Sequence, residues 1–173
     1  RALYAAARNT HSEATRLRKE FEAAKTKDPQ AREEYLAMYA KAVELYRTFT
    51  EQYPDSDYVY DFTYFQGDAL YFSERYMEAI AQYKWVRDHK DLGMTHYLDA
   101  ARSILDAYQA EADRQVAAGT IAALVIPKPA DLKALPQPLQ PQPIPEIYVQ
   151  LQNEWDNYQN VVADPKSAPS QGI

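Results

Sequence analysis

The stretch Asp61 to Ile80, DFTYFQGDALYFSERYMEAI, constrains the fold more than any other part of the chain. It reads as two short helices joined at Ser73-Glu74-Arg75, with Gly67 and Ala79 small where two helices cross closely. A hairpin of this size cannot bury its apolar face alone. The pattern therefore implies further hairpins stacked beside it and a groove left open to a partner.

The rest of the chain supplies the neighbours. Leu3, Ala6, Ala14, Leu17, Phe21 and Ala24 recur at spacings near three and four, predicting a helix over about 2–26. Asp28 is placed to cap the next helix, with Pro29 at its first position. That helix is expected over about 29–53, with Tyr35, Met38, Tyr39, Ala42, Val43, Leu45, Tyr46 and Phe49 inward and Pro54 ending it. Asp55-Ser56-Asp57 offers capping oxygens for a third helix over about 57–73. A fourth follows over about 76–89 and a fifth over about 95–118, which Gly119 closes. Between 127 and 145, seven of nineteen residues are proline, so this stretch is expected to be a semi-rigid polyproline linker. A sixth helix, about 146–163, presents Ile147, Leu151, Trp155, Tyr158 and Val162 on one face, and the tail after Asp164 reads as disordered. The expected organisation is thus a helical repeat domain at 1–120, a linker at 121–145, and a C-terminal helix with its tail at 146–173. If that helix caps the domain, Trp155 should be buried.

A shift of 37 residues carries Ala42, Tyr46 and Phe49 onto Ala79, Tyr83 and Val86; one of about 37 to 38 carries Gly67 and Leu70 onto Leu105 and Tyr108. With these residues in place, DFTYFQGDALYFSERYMEAIAQY resembles the tetratricopeptide repeat, with Gly67, Leu70, Ala79, Tyr83 and Val86 at its signature positions. Tyr76 and Tyr83 are expected to fill the space between hairpins. AKAVELYRTFTEQYPDS resembles the second helix of such a repeat and its closing proline. Thr63 and Gln66 depart from the pattern, standing where the family places large apolar residues. The Tyr-rich hairpin after YRTFTEQYPDS is most similar to bacterial envelope members of the family. These include the lipoprotein of the outer-membrane β-barrel assembly machinery, the Tol–Pal coordinator and repeat proteins of gliding motility. The resemblance implies an all-α, right-handed solenoid and a non-enzymatic scaffold in the periplasm or envelope, with a cytoplasmic location as the alternative. It also implies a concave face lined by the first helix of each hairpin, here presenting Asp61, Tyr64, Asp68, Tyr71 and Phe72. The competing reading packs Tyr64 and Tyr71 under the neighbouring hairpin.

Charge refines the expected partner. The net charge is −6, but residues 1–54 hold ten Lys/Arg against eight Asp/Glu, whereas 55–118 hold six against twelve. An acidic middle argues against a phosphate-backbone binder and favours a protein partner with a basic or extended segment. No cofactor is implied. The absence of cysteine removes thiolate metal sites, and His11, His89 and His96 are far apart in sequence, outside any paired metal motif. There is no P-loop, GxGxxG or GxSxG, so enzymatic chemistry is not expected. Aromatic residues beside carboxylates and amides also stack on sugars, which leaves a peptidoglycan- or polysaccharide-binding module as the alternative. The chain starts at Arg1, so it reads as a piece of a longer protein, with any anchor outside it.

Overall fold

The computed structural model describes residues 2–125, 128 and 143–163. The described residues form helices without strands: α1 (Ala2–Ala23), α2 (Pro29–Gln52), α3 (Val59–Phe72), α4 (Tyr76–Asp88), α5 (Tyr97–Ala117) and α6 (Glu146–Ala163). Most of the expected linker at 121–145 and the tail expected to be disordered lie outside the described residues.

Local chemistry sets the helix ends. The Asp28 side chain accepts from the backbone N–H of Gln30 at 2.9 Å, with Pro29 at the first helical position of α2. α1 stops three residues before the expected end because Lys27 Nζ turns back and donates to the carbonyls of Phe21 (2.9 Å) and Glu22 (2.6 Å). Ala24 is therefore outside the helix and exposed, and the buried line of α1 runs through Ala7 and Ala14. The acidic cap expected for α3 does not form. Its N-cap is Tyr58, without a side-chain bond, and Ser56 Oγ accepts from Tyr58 N at 3.3 Å, too early to reach the first turn.

The α3–α4 turn is closed by a left-handed residue. Arg75 N donates to Leu70 O at 2.9 Å and Glu74 N to Tyr71 O at 3.0 Å, with Glu74 at φ 63°. This is the Schellman arrangement that glycine normally occupies, and Gly119 occupies it at the end of α5, at φ 71°. The Glu74–Arg32 ion pair is exposed and contributes little. Glu74→Gly is therefore expected to raise the unfolding free energy by about 1 kcal/mol, read by urea denaturation. Unchanged or lower stability would contradict the backbone argument.

Each helix packs on the one before and the one after it in the chain. Side chains also join alternate helices. α1 meets α3 through Tyr4 on Phe62, His11 on Phe65 and Arg18 over Phe72. α4 meets α6 through Lys84 and Arg87 on Glu154. The odd-numbered helices thus form one layer and the even-numbered ones a second, with the core between them. α3 lies in the middle and is buried on most sides, including Tyr60, Phe62, Ala69 and Leu70. That is why Thr63 and Gln66 are buried despite their polarity; Thr63 Oγ1 satisfies itself by donating to Val59 O at 2.8 Å. The repeat positions Ala42, Tyr46, Phe49, Leu70, Ala79, Tyr83, Val86 and Tyr108 are buried as well, whereas Tyr76 is half-buried and Pro54 exposed in its turn.

Tyrosine is used in this core because the hydroxyls cross from one layer to polar groups on the other. Tyr46 OH lies 3.0 Å from His11 Nδ1, and Tyr39 OH lies 3.2 Å from both Thr15 Oγ1 and Arg18 Nε. Tyr83 OH donates to Asp68 Oδ1 at 2.7 Å, and Lys84 Nζ donates to Tyr108 OH at 3.0 Å.

α6 docks on α5, but not by the expected face. Ile147, Glu154 and Val161 are buried, with Leu151 and Tyr158 beside them. Trp155 and Val162 are 46% and 49% exposed, so the expectation that a docked helix would bury Trp155 is overturned. The inward stripe 147, 151, 154, 158, 161 is rotated by part of a turn because Glu154 reaches two cations on α4.

Candidate functional site

Asp61, Tyr64, Asp68, Tyr71 and Phe72 follow spacings of three and four, which puts them on one side of α3. Four of the five come together. Tyr64, Asp68, Tyr71 and Phe72 line a cavity of about 300 Å³, closed by Tyr83 from α4 and by Ser103 and Asp106 from α5. Asp61 stands apart from it, at the start of the same face, with Oδ1 3.4 Å from His96 Nε2. On the other flank of Asp68 a second cavity, of about 340 Å³, is lined by Arg8, His11, Ser12 and Thr15 of α1 with Tyr46, Phe65 and Asp68. Asp68 is therefore the partition between an α1 side carrying Arg8 and an α5 side carrying Asp106.

The aromatic members differ in how free they are. Tyr64 stacks flat on His96, with ring centroids 4.1 Å apart, and also touches Phe65 and Tyr83. Its hydroxyl is held near Ser103. Tyr64 thus spends most of its surface joining α3 to the start of α5. Phe72 is covered by the Arg18 guanidinium, 4.0 Å from its ring centre, and by Tyr39. Tyr71 packs against the core, meets Phe72 and Tyr76 edge-on, and lines the cavity.

The electrostatics centre on Asp68 and His11. Burial pushes the Asp68 carboxyl up to about 6; the Tyr83 hydroxyl opposes that shift and the charge of Asp99 adds to it. Burial pulls His11 down to about 4, so this imidazole, edge-on to Tyr39, Tyr46 and Phe65, is neutral near pH 7.

These two shifts act oppositely on stability. The native state holds the Asp68 proton more tightly than the unfolded chain, so stability falls as pH rises from the ordinary carboxylate value to about 6. The native state holds the His11 proton less tightly, so stability rises as pH rises from about 4 to the ordinary imidazole value. The two slopes offset each other over a shared window. Asp68→Asn keeps an acceptor for Tyr83 and removes one slope. It should add on the order of 1 kcal/mol at pH 7 and leave stability rising between pH 4 and 6 in urea titrations. An unchanged pH profile would contradict this balance.

His11, Thr15, Arg18, Ser103 and Asp106 were not anticipated as members of this face. Their signal is present: His11, Thr15 and Arg18 form one stripe at i, i+4, i+7, and Asp99, Ser103 and Asp106 form another. Among the described residues no three His, Asp or Glu side chains converge on a point that could hold a metal ion. No helix among them is long and apolar enough to cross a membrane. A larger, mainly apolar cavity of about 710 Å³, lined by Leu3, Tyr4, Phe49, Tyr53 and Tyr58 among others, lies at the start of α1, and none of the described residues lining it is charged. Compared with protein-family models, curated proteins and solved structures, the chain matches none.

Proposed function

We propose that this chain is a non-enzymatic protein-interaction scaffold of the tetratricopeptide type, a right-handed solenoid of helical hairpins serving a bacterial envelope assembly. Its α1–α3–α5 face holds an extended segment of a partner protein. The observation that carries this reading is the pair of cavities that share Asp68 and are lined by polar and aromatic side chains of α1, α3 and α5. A surface of this kind suits a peptide laid across the helices, with side chains dropping into successive depressions. The resemblance of residues 61–83 to the repeat signature supports the solenoid and the envelope location.

The test is an array of extended peptides probed with the folded protein and with its Tyr71→Ala form. Tyr71 lines the cavity and is only half-buried, so its loss is expected to weaken binding about tenfold without unfolding the protein. Equal binding by a folded Tyr71→Ala protein would sink the groove reading. Strong retention on isolated peptidoglycan with no peptide binding would favour a polysaccharide ligand instead.

A further inference from the structure

The cavity between α3 and α5 has a composition that narrows its occupant. Its walls are the rings of Tyr64, Tyr71 and Phe72, and its carboxylates are Asp68, mostly buried at the boundary with α1, and Asp106, exposed on α5. Among the described residues, no Lys or Arg lines it. A volume of about 300 Å³ exceeds what a single water or a small ion fills, so the space admits a long side chain. We infer that this cavity is a socket for one arginine or lysine side chain of the partner segment. This inference rests on the groove reading above and names the chemistry of the residue it holds.

Three observations support it. Asp68 is fixed: one carboxylate oxygen accepts from Tyr83, whose ring is buried, so the acceptor needs no reorganisation when a cation arrives. The buried carboxylate is costly to ionise alone, and an incoming cation would relieve that cost. The aromatic walls offer ring faces and edges to the methylene stem and the charged head of the guest.

The charged and titratable groups that face Asp68 come from every surrounding element. Arg8, His11 and Arg18 stand on α1, Tyr46 on α2, and Asp61, Tyr64 and Tyr71 on α3. Tyr83 stands on α4, and His96, Asp99 and Asp106 at and within α5. Arg8 and Arg18 lie on the α1 side, where Arg18 is engaged with Tyr39, Glu22 and the Phe72 ring. Among the described residues that line it, α5 contributes the Asp106 carboxylate and the Ser103 hydroxyl and no Lys or Arg. A partner cation is thus directed to the α5 side of Asp68, and an acidic side chain of the same segment would meet Arg8 across the partition.

The experiment uses the whole chain, isotope-labelled, and an acetylated, amidated Gly-Ser-Leu-Arg-Leu-Ser-Gly peptide as probe. Parallel titrations replace the central Arg with citrulline, which has nearly the same shape and no charge, or with Glu. The Arg peptide is expected to shift the amides of residues 64–72 and 99–106, and the citrulline peptide to bind at least about tenfold more weakly. Asp106→Asn and Asp68→Asn should each weaken the Arg peptide and leave the citrulline peptide unchanged. Affinity for the Arg peptide should rise between pH 5 and 7 in the native protein and lose that rise in Asp68→Asn. Equal binding of the Arg and citrulline peptides on the same amides would overturn the socket and leave the groove intact. Absence of binding by the Arg peptide, while array peptides of other chemistry shift those amides, would do the same. Absence of any shift on α1, α3 or α5 with every peptide would remove both the socket and the groove.

Discussion

Replacing Glu154 by Gln is expected to lower the unfolding free energy by about 3 kcal/mol and to free α6 from the helices beneath it. Glu154 is buried, with Oε1 2.6 Å from Lys84 Nζ and Oε2 2.7 Å from Arg87 Nη1. Asn157 Nδ2 adds a donor to Oε2 at 3.3 Å. The neutral amide would leave two part-buried cations facing one another without a counter-charge, and its own N–H₂ would point at one of them. Arg87 retains Asp88, and Lys84 retains the Tyr108 hydroxyl, which keeps the loss near the lower end of what a broken buried pair costs. The same pair gives α6 an acid sensitivity. Burial alone would raise the Glu154 carboxyl, but the bonds from Lys84 and Asn157 and the charges of Lys84 and Arg87 outweigh it and hold it low. Its contribution is therefore complete above the ordinary carboxylate range and is lost as pH falls through the lowered native value. Hydrogen exchange of the α6 amides reads the effect directly, since Trp155 is half-exposed and its fluorescence reports docking poorly. Protection of α6 unchanged in Glu154→Gln would contradict the role given to this pair.

Gly67→Ala is expected to cost about 2 kcal/mol even though alanine is the better helix former. A Cβ at this position would lie 2.8 Å from Tyr83 Cε1 and 2.9 Å from its Cδ1. The ring has little room to retreat: it is 2% exposed, and its hydroxyl is tied to Asp68. Helix propensity returns about 1 kcal/mol of an overpacking cost of about 3 kcal/mol. The measurement is a denaturation cycle in which Gly67→Ala is made in the native protein and in a Tyr83→Leu background. The alanine should be markedly less costly with leucine at 83. An equal cost in both backgrounds would show that the helices do not meet through this pair. The change also threatens the proposed socket, because Tyr83 both walls it and holds Asp68.

Where local chemistry decides, the sequence was readable. Asp28-Pro29 starts α2 as expected, Gly67 lies against Tyr83 where α3 and α4 approach, and Ala79 is buried. Gly119 closes α5. The reading of α6 differs because a charged residue stands at core spacing. In α6 the stripe 147, 151, 154, 158, 161 follows the three–four alternation closely, but Glu154 in its centre turned the reading towards Trp155 and Val162. Asp68, expected on the concave face, lines both cavities while it is also bonded to a core tyrosine. For the candidate site, the residues that the repeat resemblance implies for α3 include four that line one cavity. Ser103 and Asp106 could not be placed with them, because which side of α5 turns towards α3 depends on the α4–α5 turn and on His96 stacking against Tyr64. The burial of α3 on most sides is also a tertiary property. A helix with Thr63 and Gln66 inward looks defective in sequence; Thr63 bonds its hydroxyl within α3, and the neighbouring helices bury both residues.

The central claim, that the α1–α3–α5 face holds an extended partner segment, is tested most directly by mapping amide shifts of the labelled protein against the peptides selected on the array. The predicted result is a contiguous set of shifts at residues 8–15, 61–72 and 96–106, with α2 and the outer surface of α4 silent. Shifts centred on the Leu3, Tyr53 and Tyr58 cavity, or on the exposed Trp155 side of α6, with that face unperturbed, would contradict it.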